Sequence, residues 1–316
     1  MSWTRYWAKS TGKTAWPSAL HAYALPSKTS NFLVTFLTVL DYHSHPAISA
    51  SKLKSIITGT PKDYWARHVD PNRMPFAPTD AMRQGSLVDC LITEREEYSK
   101  RYLVAPQCDR RTKEGKAIWA DFQAEAAGRE VITRDWEDNA LRIVEALMRD
   151  AHAAPLIRNG QGQEPHFWYD EEIGIDCRYK PDIEHPDRGI LVDLKKSRSA
   201  NPRMFAAQSY SMAYDLQMAH YSAGFKDRYG KLPEQVILIA YEWQWPHNIS
   251  VNILSPDLIE EGHRRREEAI VQLKQCMESE LWPSWGSVEM DLPRWANADD
   301  PANATGADDL ELEGLE

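Results

Sequence analysis

The sequence predicts one α/β domain built on a central mixed β-sheet, with helices on both of its faces. Three observations lead there. The hydrophobic period is helical through the first half, switches to strand-like alternation between about 164 and 197, and then alternates once more. The resulting order is helices, three strands, a helix, two strands and a last helix, which suits a mixed sheet covered on two sides. A chain of 316 residues with 42% hydrophobic and 27% charged residues can bury one large core.

Residues 1–41 read as a variable Ser/Thr/Trp-rich lead-in, within which 32–40 looks strand-like. A short helix carrying Leu53, Ile56 and Ile57 follows, with Ser49 or Ser51 as N-cap. Gly59 and Pro61 interrupt it before a further helical turn with Tyr64 and Trp65. "TDAMRQGSLVDCLI" predicts a helix over 79–92, with Met82, Leu87, Cys90 and Leu91 near helical spacing. Gly85 inside it, costing about 1 kcal/mol relative to Ala, suggests close approach of another backbone. Two more helices are expected over 110–128, with Gly128 as C-cap, and 135–157.

Strands are expected at 164–169, at 175–182 after a Gly174 turn, and at 189–197. A long amphipathic helix then runs from Met204 to a stop at Gly230. Strands at 235–244 and 248–254 follow, separated by Pro246. Ser255 and Pro256 open a last helix as N-cap and N1, running to about Glu280. No internal repeat is visible.

Net charge is −10, but residues 297–316 hold seven acids and no Lys or Arg, which predicts a disordered acidic tail and leaves −3 over residues 1–296. A nearly neutral body can carry a basic groove, so the charge balance does not exclude a nucleic-acid partner. Cys90, Cys108, Cys177 and Cys276 are scattered without a C-x-x-C pair, which argues against a zinc knuckle or a cysteine-bound cluster and for free thiols in a reducing compartment. The apolar run 32–40 is too short to span a bilayer, so the expectation is a soluble, cytoplasmic protein with no membrane partner.

The chemistry concentrates in "DCRYKPDIEHPDRGILVDLKKS". Residues two apart share a strand face, so Asp193 and Lys195 point together while Leu194 points away. On the preceding strand Asp176, Arg178, Lys180 and Asp182 share a face. A hairpin through "EHPDRG" lets Asp182 and Asp193 converge. Two carboxylates without a soft ligand suit a hard cation, Mg²⁺ or Mn²⁺, and the Leu194 backbone carbonyl between the paired residues joins the candidate ligand set. Such a set describes metal-assisted phosphodiester hydrolysis, with Lys195 stabilising charge or orienting the attacking water. Gln217 and Tyr221 are four apart and share a helix face, where an amide and a phenol can hold a phosphate or a water. An ordinary amphipathic helix, with Tyr221 in the core and Gln217 exposed, fits the same spacing.

Taken together, "YKPDI … ILVDLKKS … LQMAHY" resembles the PD-(D/E)xK nucleases, specifically the RecE-type and phage exonuclease branch with its Q-x-x-x-Y helix. "HPAISASKLKSIITGTPKDYW", "MRQGSLVDCLITEREEYSKRYLVAP", "RRTKEGKAIWADFQAE" and "LPRW" extend the resemblance over about residues 42–296. RecE-type enzymes usually place a histidine ligand four residues after the helix glycine; here that position is Asp89, after Gly85, and an aspartate coordinates Mg²⁺ at least as naturally. The resemblance implies a single nuclease domain over 42–296. It also implies a Mg²⁺-dependent 5′→3′ exonuclease acting on the ends of linear double-stranded DNA to leave 3′ overhangs for recombination. A ring-shaped homo-oligomer and a single-strand annealing partner are implied as well. A structure- or site-specific endonuclease, or a degenerate DNA-binding scaffold, remain alternatives on this fold.

Arg110, Arg111, Lys113 and Lys116 cluster at a helix start as candidate DNA-phosphate contacts, against the alternative of a solvated helix end. "GHRRREE" interleaves acids and bases and reads as a solvated face. Trp119 and Phe122 read as core.

Overall fold

The computed structural model describes Tyr42, residues 45–126 and residues 128–290. The strand expected at 32–40, the "LPRW" segment and the acidic tail lie outside the described residues. Residues 283–290 form a separate stretch without helix or strand.

Helix α1 (Ala50–Ile57) starts after Ser49, and α2 (Pro61–His68) is closed by a capping box in which Thr60 and Asp63 bond each other's backbones. Thr79 caps α3 (Asp80–Thr93) by accepting from Met82 N. A short α4 (Tyr98–Arg101) leads into β1 (Tyr102–Val104). Then come α5 (Lys113–Glu125), β2 (Glu130–Ile132), parallel to β1, and α6 (Arg134–Arg149). The helix expected over 110–128 is shorter than its pattern, and Ala126 rather than Gly128 is its C-cap. The one expected over 135–157 is two, because Asp150 leaves helical geometry before α7 (Ala154–Ile157).

The central sheet has the order β3 (Gln161–Gly162), β6 (Ile183–His185), β7 (Ile190–Ser197), β8 (Gln235–Glu242), β9 (Ile249–Ile253). Only the β7–β8 pair is parallel, so the sheet is mixed as the element order predicted. β4 (His166–Asp170) and β5 (Ile175–Tyr179) form a separate antiparallel pair. The single strand expected over 175–182 is therefore two strands in two sheets. Pro181 has no N–H to offer a ladder and restricts Lys180 before it, so β5 stops at Tyr179 and β6 begins beyond Asp182.

The crossover from β7 to β8 is also broken in two, α8 (Pro202–Ser211) and α9 (Tyr214–Tyr229), at Ala213, whose φ of 51° is left-handed. The expected amphipathic helix is thus wrong in one further respect: α9 is buried nearly all round, against α1, α8, β4, β5 and α10 (Pro256–Ser279). Gly262 allows one of the closest of these contacts. A Cβ there would stand 2.3 Å from the Asp215 carbonyl oxygen.

The two faces of β7 point into two different cores. Ile190, Val192 and Leu194 pack with α3 and α6, whereas Leu191 packs with Phe205, Tyr214 and Met218 of α8 and α9. This alternation puts helices on both faces and turns Asp193 and Lys195, which share the face of Leu191, toward α9. Gly85 meets no backbone: a Cβ there would lie 4.0 Å from Lys196 Cβ, an ordinary side-chain contact. Among the described residues, no helix is long and apolar enough to cross a membrane.

Candidate active site

A cavity of about 410 Å³ opens where α1, α3, β5, α9 and the 180–182 segment meet, and its wall includes Asp89, Asp182, Gln217 and Tyr221. Asp182 is fixed by its place at the strand break. The β6–β7 ladder ends at Ile183 opposite Val192, and the next free amide, Leu194 N, donates to Asp182 Oδ2 at 2.8 Å. Gln163 Nε2 donates to the other oxygen at 3.2 Å. Asp193 is only 2% exposed and lies behind the wall, with Lys195 ion-paired to it and Gln217 Nε2 donating to its Oδ1 at 3.0 Å.

The electrostatics of these acids are strained. Burial and the neighbouring Asp193 push the Asp182 carboxyl up to about 7. Burial, then Asp182, hold Asp89 well above the usual carboxylate range, and its buried Oδ1 has no hydrogen-bond partner. Burial opposes the charge on Lys195, but Asp193 and Asp182 outweigh it and hold the ammonium above its ordinary range. The Tyr221 phenol is driven far up by burial and by Asp193.

Asp89, Asp182 and Asp193 are hard oxygen donors with an excess of negative charge and one orphaned oxygen, which fits a hard divalent cation. The three do not stand as a ready-made cage. Among the described residues no group of three or more His, Cys, Asp or Glu is arranged to hold a metal ion, and Lys195 occupies Asp193.

A family model described as a PDDEXK-like domain of unknown function (DUF3799) matches residues 49–290. The chain belongs to this PDDEXK-like family. A crystal structure of a candidate exonuclease from Eubacterium rectale aligns with a TM-score of 0.57 and 14% identity, over 85% of this chain and 97% of that one. At that identity the likeness is one of fold, and the fold is nuclease-like. A phage-related exonuclease from Haemophilus somnus 129PT aligns with a TM-score of only 0.31 and 13% identity, over 75% and 97%, and carries no argument. No curated protein matches the sequence.

Within this PDDEXK-like domain, the structure brings Asp89, Asp182, Asp193, Lys195, Gln217 and Tyr221 into one neighbourhood, with Leu194 tied in through its amide. Gln217 is 8% exposed, so the alternative with an outward-facing amide is excluded. The basic cluster stands apart: Arg110, Arg111, Lys113 and Lys116 are exposed and none lines the cavity. Arg110 lies over the Trp119 ring, 3.2 Å from its centroid, and Arg111 is paired with Asp109 at 3.0 Å. "GHRRREE" is not a solvated face. Arg265 and Arg266 are buried on Asp215 and Asp170, and only Arg264 stays outside, on Glu261 and Glu268.

Two contributors escaped the sequence reading. Gln163, which holds Asp182, sits in a left-handed turn (φ 57°) that the "NGQGQ" run marks only as a loop. Lys54 donates to Gln217 Oε1 at 3.1 Å. A lysine on an amphipathic helix has the sequence signature of a solvated residue, and no local pattern separates the two.

Proposed function

We propose that the protein is a Mg²⁺-dependent 5′→3′ exodeoxyribonuclease acting on linear double-stranded DNA, leaving 3′ single-stranded overhangs. The observation that carries this reading is the Asp182–Asp193–Lys195 constellation, closed by Gln217, beside an open cavity in a PDDEXK-like domain. PD-(D/E)xK nucleases usually use divalent metals; Mg²⁺ is the specific proposal, with Mn²⁺ as substitute.

Asp89, Asp182 and Asp193 would hold the cation, with the Leu194 carbonyl as a further donor. Bound there, the cation would neutralise charge on the scissile phosphate and acidify a water. Lys195 faces the same carboxylates and supplies positive charge where the phosphorane-like transition state becomes more negative. Gln217 and Tyr221, on the wall, orient a phosphate oxygen or the attacking water. Asp182, with its carboxyl near 7, gives up its proton readily at neutral pH and becomes a full ligand when positive charge arrives. The motif resemblance extends the proposal to a ring-shaped homo-oligomer, a single-strand annealing partner and a cytoplasmic setting, with Arg110, Arg111, Lys113 and Lys116 as DNA-phosphate contacts.

The test is degradation of 5′-labelled linear duplex and of covalently closed circular DNA, with Mg²⁺ or EDTA. The expected result is Mg²⁺-dependent loss of the linear substrate alone. Cutting of the closed circle would replace the exonuclease with an endonuclease, and no degradation of either would leave a DNA-binding scaffold.

A further inference from the structure

Gln217 has an amide whose two ends are chemically opposite, and only one of them suits Asp193. Its Nε2 donates to Asp193 Oδ1 at 3.0 Å. Turned over, Oε1 would face a carboxylate oxygen, two acceptors with no proton between them. The amide's shape is the same both ways, so something beyond it must choose. Lys54 of α1 makes the choice, donating to Oε1 at 3.1 Å. As an ammonium, Lys54 has three donors and no acceptor, so in its charged state it tolerates only the oxygen end.

The setting gives this contact its meaning. Lys54 Nζ stands 4.7 Å from the centroid of the Tyr214 ring, and Lys195 Nζ stands 4.8 Å from the same centroid. Two ammonium groups therefore share one aromatic side chain. Burial, then repulsion from Lys195, push the Lys54 ammonium down to about 7, against the pull of Asp193 and Asp215. A methionine would fill this space without such a cost. Groups held against their own solvation, on geometry that converges on one atom, concentrate where function needs them.

We infer that Lys54 is a positioning residue: by fixing the Gln217 amide with its nitrogen toward Asp193, it holds that carboxylate ready to ligate a divalent cation. This rests on the reading of Asp193 as a metal ligand. Lys54 does not itself line the cavity, and its hydrogen-bonded route to Asp193 runs through Gln217.

The experiment uses the full chain as wild type, Lys54→Met, Gln217→Leu and the double variant, with circular dichroism melts to confirm folding. Mn²⁺ binding is measured by calorimetry without DNA, and kcat and KM are measured on linear duplex with Mg²⁺. K54M is expected to weaken Mn²⁺ binding roughly 10- to 100-fold, the usual effect of losing a partner that orients a metal ligand. It should lower kcat similarly while leaving KM for DNA unchanged. The double variant should be no worse than Q217L alone, since both changes break one chain of contacts. Equal Mn²⁺ binding by wild type and K54M overturns the inference, whatever the activity, and so does additive loss in the double variant. A wild type inert toward DNA that still loses Mn²⁺ affinity on K54M retires the nuclease reading and leaves the lysine's role standing. Should K54M fail to fold, Lys54→Arg keeps the donors and must bind Mn²⁺ within about threefold of wild type; a larger loss overturns the inference.

Discussion

Along the seam between α9 and α10, Asp215 is fully buried and both its oxygens accept from Arg265 Nη1, at 2.8 and 2.9 Å. Next to it Arg266 donates to Asp170 at 2.5 Å and to His220 Nδ1 at 3.3 Å. His220 in turn meets the Arg178 carbonyl at 3.0 Å, with burial and Arg266 keeping the imidazole neutral, its pKa lowered to about 3. Every acid here has a cation, and the neutral imidazole has both its nitrogens engaged. At the cavity a few residues away along the same helix, three carboxylates gather around Lys195 with Lys54 beside it, two of them are pushed upward, and the buried Asp89 Oδ1 has no hydrogen-bond partner. The same side-chain types thus serve opposite ends. Where charge is closed, it pins elements together. Where it is left open, the fold holds a surplus that a cation from solution can settle.

The largest expected effect breaks the closed side. Asp215→Ala leaves Arg265 buried without its partner and should cost about 3–5 kcal/mol of unfolding free energy. Urea titration reads this, and a loss under about 1 kcal/mol would mean the seam does not depend on the pair. Next comes the open side. Lys195→Ala should lower kcat about 10²–10³-fold, in line with removing one group that faces developing charge, with circular dichroism confirming a folded variant because the change also leaves Asp193 without its ion-pair partner. Undiminished degradation by that variant would displace the site from these residues.

A third change sharpens the contrast, because it should move stability in the other direction. Asp182 has a folded-state pKa raised above its unfolded value, so its contribution is fully present below about 4 and is lost as pH rises through about 7. Asp182→Asn removes that loss. In metal-free buffer the variant should gain on the wild type between pH 4 and 7, by something on the order of 1 kcal/mol or roughly 2–4 °C for a domain of this size. The comparison must be wild type against variant, since His68 and His220, both lowered mainly by burial, make stability rise over part of the same range. A difference curve flat in pH would show that Asp182 carries no strain.

What the sequence revealed and what it hid follow from how far apart the causes lie. Asp193 and Lys195 were legible because a two-residue period fixes a strand's faces locally. Asp182 was legible as a ligand, but not as a hinge between two sheets, although Pro181 was the available signal. The break at Ala213 has no signal, since neither Gly nor Pro marks it and the left-handed residue is an alanine. Arg265 and Arg266 read as solvated because Asp215 and Asp170 stand 50 and 96 residues away in sequence. Lys54 is hidden for the same reason, its partner being 163 residues distant. Local periodicity carries the backbone and the face of each strand. Which charges are closed is decided by long-range packing, and the contrast between seam and cavity is of that kind.

The smallest expected effect concerns charge that belongs to neither group. Arg111 is paired with Asp109 and Arg110 lies over Trp119, so both already have local roles. Lys113 and Lys116 open the same helix as exposed ammonium groups. If they meet DNA phosphates, Lys113→Ala with Lys116→Ala should flatten the dependence of log binding on log salt by about 0.9 for each phosphate no longer neutralised. Catalytic rate at saturating DNA should hold, because neither residue lines the cavity. Binding isotherms over a salt series, with Ca²⁺ in place of Mg²⁺ to hold the substrate intact, separate this from a fold defect, which would shift all points together and leave the slope unchanged. An unchanged slope would remove this helix from the DNA path and turn attention to the charged groups on the cavity's own wall, Arg101, Arg178 and Lys180.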